Sequence, residues 1–216
     1  MKLSIGRKAV ILVFLVLFID QAVKIWIKTH MTIGEEFRVF DWFIIHFTEN
    51  PGMAFGMEFG GSLGKLALSS FRIFAVGAII WYLVHLVKTK AHWGFVLSIA
   101  LILAGAVGNI LDSAFYGLFF NKGLTFDSQY NYWMPYPGVA EFGTGYASFL
   151  KGCVVDMLYF PLLQGHFPQW FPIWGGEQFV FFRPVFNIAD SSITVGVSLI
   201  LIFQKRFFKH EEVVAA

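Results

Sequence analysis

Two aspartates in this chain stand where an acid is expensive. Asp156 lies inside the apolar run Val154-Val155-Asp156-Met157-Leu158-Tyr159-Phe160. Asp190 lies in Phe186-Asn187-Ile188-Ala189-Asp190-Ser191-Ser192, which feeds directly into the apolar stretch Ile193–Phe203. An Asp at the centre of a membrane helix costs roughly 2.5 to 3.5 kcal/mol on insertion scales, so such residues mark function by default. Two carboxyls brought close together repel as anions, which raises the pKa of one and leaves the pair sharing a proton. One member can then act as base on a water while the other donates to a carbonyl oxygen. Asparagines beside them, such as Asn109 and Asn187, would hydrogen-bond and orient the acids.

The elements that must position these residues are membrane helices. The chain has 216 residues with 57% hydrophobic and 14% charged side chains and a mean hydropathy of +0.66, which is unlike a soluble domain. Its 27 Phe and 7 Trp form the aromatic load that collects at lipid headgroups. A net charge of +2 gives no argument for nucleic acid. The single cysteine, Cys153, excludes an internal disulfide and a Cys-rich metal site, and the scattered histidines form no HExxH or paired spacing, so the residues give little argument for a metal.

Four stretches reach the roughly 20 residues needed to cross a bilayer: about 9–27, 66–87, 95–111 and 188–208. The third is short and should extend beyond Leu111 or begin near Trp93. The first has basic residues before it but no small-residue cleavage site after it, which reads as a retained helix. Lys2, Arg7 and Lys8, the connection bearing Lys88 and Lys90, and Lys205, Arg206 and Lys209 fall on one side of a four-span chain. By the positive-inside rule that side is the cytoplasm. Both termini are then inside, and segments 28–65 and 112–187 face outward. Phe37–Phe47 is rich in aromatic and β-branched residues and predicts a short strand or hairpin on the membrane. Segment 117–152, with turn clusters such as Pro135-Tyr136-Pro137-Gly138, predicts a folded or interfacial insert. The expectation is one domain over 1–216: an all-α membrane protein with four transmembrane helices, a small β-containing extracytoplasmic cradle and an extended extracytoplasmic insert.

The polar residues then gather at the outer end of the spans: Asp20 and Lys24, Asn50-Pro51-Gly52, Asn109 and Asp112, Asn187 and Asp190. Blander readings exist for each. Asp20 and Lys24 are spaced as a helix ion pair, Asn50-Pro51-Gly52 is an ordinary turn, and Gly105, Gly108 and Gly117 permit close helix packing. Asp190 with Ser191 and Ser192 could be only a helix cap, which would explain neither Asn187 nor Asp156. Asp112, at a helix end, is expected to be solvated and to serve packing and orientation. A proton-coupled transporter would spread acids through the membrane depth and break helices near the midplane; here the acids cluster at one end. A non-catalytic assembly factor, with its polar groups as helix glue, would tolerate Asp190→Asn.

Five blocks in order carry a resemblance: Asp20-Gln21-Ala22-Val23-Lys24, Asn50-Pro51-Gly52-Met53-Ala54-Phe55, Gly105-Ala106-Val107-Gly108-Asn109-Ile110-Leu111-Asp112, Val154-Val155-Asp156 and Phe186-Asn187-Ile188-Ala189-Asp190-Ser191. With them the chain resembles the lipoprotein signal peptidase (signal peptidase II) family of bacterial membrane aspartyl proteases. The resemblance implies cleavage of prolipoprotein signal peptides just before a diacylglyceryl-modified cysteine, without metal or cofactor, in the bacterial plasma membrane. It makes Asp156 and Asp190 the catalytic dyad and Asn109 and Asn187 their supports. Asp20, Lys24, Asn50, Gly52 and Asp112 then belong to the surrounding site. Lipidated prolipoproteins and membrane lipid are the implied partners, and a monomer is the working expectation. The chain departs from the family pattern at Ser113, where Arg is usual, and in extra residues on both sides of Asp156.

Overall fold

The computed structural model describes residues 3–52, 61–127, 129–130 and 132–208. Met53, Ala54 and Phe55 of the second motif, and the basic residues Lys2 and Lys209, lie outside them. In lipid a helix satisfies its own backbone, and four helices among the described residues are long and apolar enough to cross a membrane. The first, α1, spans Ile5–His30; α2 spans Gly61–Lys88; α3 spans Trp93–Leu111. The third apolar segment does not stop at Leu111. A π-helical turn, Asp112–Tyr116, and a last turn, α4 (Gly117–Phe119), carry it on to Phe119. The apolar helical stretch expected to end at Leu111 therefore runs from Trp93 to Phe119, and the span that looked short gains length at both ends. The last helix, α5, covers Ile188–Phe207.

Helix α3 is the central element, packed against α1, α2 and α5. Its buried face includes Ser98, Ala100, Ala104, Gly105 and Gly108; without a hydrophobic drive between helices in lipid, small residues let backbones approach. A Cβ on Gly105 would run into the Ala189 carbonyl of α5, and one on Gly196 would lie 2.6 Å from the Ser98 carbonyl oxygen. Ser192 Oγ crosses the same seam to donate to the Leu101 carbonyl at 2.8 Å. The outward faces carry Phe14, Phe18, Phe71, Phe74, Trp81, Leu201 and Ile202, all exposed, as lipid-facing surfaces must be.

The helix ends sort by chemistry. At one end Ala9, Leu86, Phe95 and Phe207 pack together, bringing Arg7 and Lys8, Lys88 and Lys90, and Lys205 and Arg206 to the same side. At the opposite end sits a four-stranded antiparallel sheet, ordered β1 (Glu36–Phe40), β2 (Phe43–Asn50), β5 (Val154–Tyr159) and β8 (Val185–Phe186). The hairpin expected at Phe37–Phe47 is β1–β2. Two smaller hairpins are made by β3 (Thr125–Asp127) with β4 (Tyr132–Met134) and by β6 (Leu163–His166) with β7 (Gln178–Phe181).

Residues 120–153 are tied down at a buried box. The Lys28 ammonium, on α1, pairs with Glu49 at the end of β2 and lies 5.2 to 5.3 Å from the ring centres of Phe120, Tyr136 and Tyr146. Tyr136 donates its hydroxyl to Glu49 Oε1 at 2.9 Å, and the Leu124 amide donates to Oε2 at 2.9 Å. Burial and the neighbouring Glu49 carboxylate push the Tyr136 phenol well above its ordinary range, so it remains a donor. The insert is thus a folded cap on the sheet and α1.

Packing at the α3–α5 seam generates a stability prediction. Gly105→Ala should overpack the seam against the Ala189 carbonyl and destabilise the protein by about 1–3 kcal/mol. Thermal unfolding in detergent measures it; Gly77→Ala on α2, where a Cβ meets nothing within 4 Å, is the matched control and should leave the midpoint unchanged or raise it.

Candidate active site

The site is built outward from the C-terminal part of α1 around one ammonium. Lys24 Nζ, fully buried, lies 3.0 Å from Asp20 Oδ2, 2.8 Å from Asp112 Oδ2 and 3.1 Å from Asn109 Oδ1. Its three protons therefore meet three acceptors, two of them anionic, which is what keeps a charge tolerable there. Asp112 is buried and held by this pair, not solvated at a helix end as its sequence position implied. Its Oδ2 also accepts from the Val155 amide at 3.2 Å, and Oδ1 from Gln21 Nε2 at 2.8 Å. Gln21 is fixed in turn by Tyr116, whose hydroxyl donates to Oε1 at 3.1 Å. Asp20 reaches the other way: its Oδ1 accepts from the Ala189 amide at 2.9 Å. That amide is an orphan donor in the first turn of α5, where a carboxylate also meets the positive end of the helix dipole.

Lys24 fixes more than charge. Because an ammonium only donates, Asn109 must present its oxygen to it, and the Asn109 amide nitrogen then points the other way, donating to Asp190 Oδ1 at 2.7 Å. Asn187 is set by the same logic. Its oxygen accepts from the Asp190 amide at 2.9 Å, so its nitrogen donates to Asp156 Oδ1 at 2.6 Å and to Asn109 Oδ1 at 3.1 Å. Asn187 is the N-cap of α5 and Asp190 its third helical residue, and together they form a capping box. A cap therefore does explain Asn187, contrary to the expectation; capping and orientation are one arrangement. The result is a continuous chain Asp156–Asn187–Asn109–Asp190.

Strand periodicity aims Asp156. Side chains alternate across a strand, and Val155 and Met157 of β5 are both fully buried against Ile27, Met31, Phe47, Tyr116 and Phe120. Asp156 takes the opposite face, opposite Thr48 of β2. It is buried, and that burial, reinforced by the nearby Asp190 charge, pushes its carboxyl up to about 8 although Lys24 and the Asn187 bond pull down. Asp190 is half-buried. Neither acid has a cation within 4 Å among the described residues, whereas Asp20 and Asp112 both do. The half-buried Arg72 of α2 is a second cation whose field reaches Asp190, Asp156 and Asp112.

Asn50 and Gly52 belong to a neighbouring loop. Asn50 pairs with Val154 where β2 meets β5, and its Oδ1 accepts from the Gly52 amide at 2.9 Å in a tight turn. Gly52 has φ of 101°, a conformation that a side chain would strain. Ser113 donates to the Asn109 carbonyl of its own helix at 3.1 Å and is buried, so it supplies no side-chain donor to the acids. Gln21, Lys28, Glu49, Arg72, Tyr116 and Tyr136 are the members of this polar region that sequence reasoning did not single out. For Lys28 a signal existed: it continues the i, i+4 row Asp20, Lys24, Lys28.

A family model described as signal peptidase (SPase) II matches residues 12–206. A lipoprotein signal peptidase of Porphyromonas gingivalis is 47% identical over 206 residues, covering 95% of this chain and 86% of that one. A lipoprotein signal peptidase of Amoebophilus asiaticus is 37% identical, with coverage of 87% and 73%. Among solved structures, a bacterial membrane enzyme determined by the in meso method at 2.3 Å resolution superposes with a TM-score of 0.58 at 25% identity, covering 92% of this chain and 88% of the other. The matched span holds every residue of the Asp–Asn–Asn–Asp chain and the Lys24 hub beneath it, and this chain belongs to the signal peptidase II family.

Proposed function

We propose that the chain is a membrane aspartyl endopeptidase that removes signal peptides from diacylglyceryl-modified prolipoproteins, cutting N-terminal to the lipidated cysteine. The observation that carries the assignment of Asp156 and Asp190 as the dyad is their linkage through two joined carboxamides, with no ammonium or guanidinium within 4 Å of either among the described residues. Asp20 and Asp112 are instead ion-paired to Lys24, which commits them to the base of the site. Asp156, with its carboxyl pushed up to about 8, holds a proton at neutral pH. Its Oδ1 accepts from Asn187, leaving Oδ2 to carry that proton.

The chemistry then balances with water as the only other reactant. Asp190 takes a proton from a water whose oxygen attacks the scissile carbonyl carbon, while Asp156 gives its proton to the carbonyl oxygen. The tetrahedral diol collapses as Asp190 passes its proton to the departing amine of the lipidated cysteine, and a diol hydroxyl returns a proton to Asp156. No metal or cofactor enters. A site at the membrane interface suits this substrate: its acyl tails remain in lipid, each buried CH₂ contributing about 0.8 kcal/mol, while the peptide bond meets water. The sheet, the insert and the acids lie on the extracytoplasmic side, opposite the basic helix ends, and the protein acts as a single domain and a monomer in the bacterial plasma membrane.

Asp156→Asn and Asp190→Asn should each lower kcat by on the order of 10³-fold or more while the protein still inserts. The double variant should be scarcely worse than either single, because members of one catalytic unit are not additive. Asp112→Asn removes a charged partner of Lys24 and should cost about 1.5–3 kcal/mol of stability yet retain measurable cleavage. Cleavage of a purified lipidated precursor, with unfolding midpoints recorded alongside, separates these outcomes. Activity in Asp156→Asn with none in Asp112→Asn would move the dyad to Asp112 and Asp190.

The pH profile follows from the acid's proton. Below about 8 Asp156 is protonated and can donate; as pH rises through that value it loses the proton and donation stops. The kcat/KM for precursor cleavage should therefore fall on the alkaline side near pH 8. A rate flat through pH 9 would remove Asp156 from the donor role.

Topology is tested by thiol labelling in intact cells. Tyr130→Cys, exposed in the insert, should react with a membrane-impermeant maleimide from outside. Lys90→Cys, exposed between α2 and α3, should react only after lysis. The reverse pattern would put the acids on the cytoplasmic side.

A further inference from the structure

The hairpin β6–β7 and its tip occupy the chain between the two acids, after the strand bearing Asp156 and before the helix bearing Asp190. Its rungs run from Leu163 opposite Phe181 to His166 opposite Gln178. The tip is closed by its own backbone: the Phe167 amide donates to the Glu177 carbonyl at 2.9 Å, and the Gly176 amide to the Phe167 carbonyl at 3.0 Å. Inside it, Phe167 contacts Phe171, Trp174 and Phe179 with ring centres 5.0 to 5.9 Å apart. The unit is therefore a preformed shape, not a loose loop.

Its outside is apolar. Trp170 and Ile173 are 79% and 86% exposed, and Leu162, Leu163, Trp174 and Phe181 are exposed as well. Residues 161–176 contain no Asp, Glu, Lys or Arg. Pro168 and Pro172 remove two amide donors from the tip, which lowers the cost of leaving water. In bulk water a patch of this kind marks an interaction surface. It is also continuous with the membrane entry of α5. Phe182 at its base touches Phe186, which precedes α5 by two residues, and Phe186 touches Phe160, which touches Trp42 at the β1–β2 turn.

We infer that the β6–β7 hairpin is a lipid-binding anchor whose tip, Trp170 to Trp174, seats in the headgroup–acyl boundary of the leaflet on the site's side of the membrane. Trp and Phe prefer that boundary, and the uncharged tip meets no penalty from losing solvated ions there. Rooted between β5 and α5, the anchor holds the sheet carrying one acid at the lipid surface beside the helix carrying the other. The inference rests on the membrane-spanning helices and not on the peptidase reading, so its test needs no cleavage assay.

The test places a nitroxide label on Trp170→Cys or Ile173→Cys in the full chain, reconstituted in phosphatidylcholine–phosphatidylglycerol vesicles. Cys153 is buried, and unsubstituted protein sets the background. Collisional relaxation by oxygen, which concentrates in lipid, is compared with that by a water-soluble nickel chelate. Ile202→Cys on the lipid face of α5 gives the lipid reference. Both hairpin labels should be oxygen-dominated, as at Ile202. As a second measurement, brominated phosphatidylcholine should quench tryptophan fluorescence, with the quenchable fraction reduced in Trp170→Phe/Trp174→Phe. Nickel-dominated labels at both positions overturn the proposal; labels shielded from both reagents overturn it equally, in favour of a contact with a second copy of the chain.

Discussion

Everything at the polar end depends on the Lys24 ammonium having three acceptors. A buried charge without partners costs several kcal/mol, and an ion pair in the interior is sustained only when each proton and lone pair is satisfied. Lys24 meets that condition through Asp20, Asp112 and Asn109. The acceptors then tie α1 and α3 to two further elements: Asp20 binds the Ala189 amide and Asn109 the Asp190 carboxyl, both in the first turn of α5, while Asp112 binds the backbone of β5. Removing that charge would leave two buried carboxylates facing each other, so the network is all-or-none rather than a sum of separate bonds.

The two acids owe their placement to different kinds of regularity. Asp156 is presented by a strand whose neighbours Val155 and Met157 must face the core, which leaves the intervening residue to face the site. Asp190 is presented by a capping box, in which the helix N-terminus needs Asn187 and Asp190 regardless of chemistry. Only Asn187 is shared: its oxygen caps α5 while its nitrogen holds Asp156. One carboxamide thus couples the start of a membrane helix to a strand on the surface.

What the sequence disclosed follows this division between local and distant. Apolar runs of helix length, the basic clusters at one end, the β-rich stretch before Asn50 and the polar ends of the spans are all local patterns, and all are present in the fold. Asp112 reads as solvated in the sequence because a span taken to end at Leu111 looks like an exit to water. The π-helical turn that continues the span, and the distant Lys24 that buries the acid, leave no local mark. The i, i+4 row points to Lys28, but its partners leave no local mark, since Glu49 lies 21 residues away and Tyr136 and Tyr146 come from the insert. The N-cap role of Asn187 is legible in Asn187-Ile188-Ala189-Asp190, but from sequence the cap is placed at Asp190-Ser191-Ser192 and weighed against function, when the cap is the means of positioning.

The four acids gathered near the helix ends are therefore separated by what neutralises them. Asp20 and Asp112 are bound to an ammonium, and a carboxylate held that way is a fixed charge that organises backbone amides. Among the described residues Asp156 and Asp190 are held by the carboxamides of Asn187 and Asn109, and Asp190 also by the Asn187 backbone amide, all neutral donors that orient an acid without neutralising it. The fixed pair and the mobile pair meet at Asn109, whose oxygen answers Lys24 and whose nitrogen answers Asp190. A single amide, unable to turn over without losing both bonds, transmits the rigidity of the ion-paired base to the acids above it. Preorganisation of this kind costs nothing at the moment of reaction, and it explains why so much charge is kept at a membrane surface where packing alone would be more stable without it.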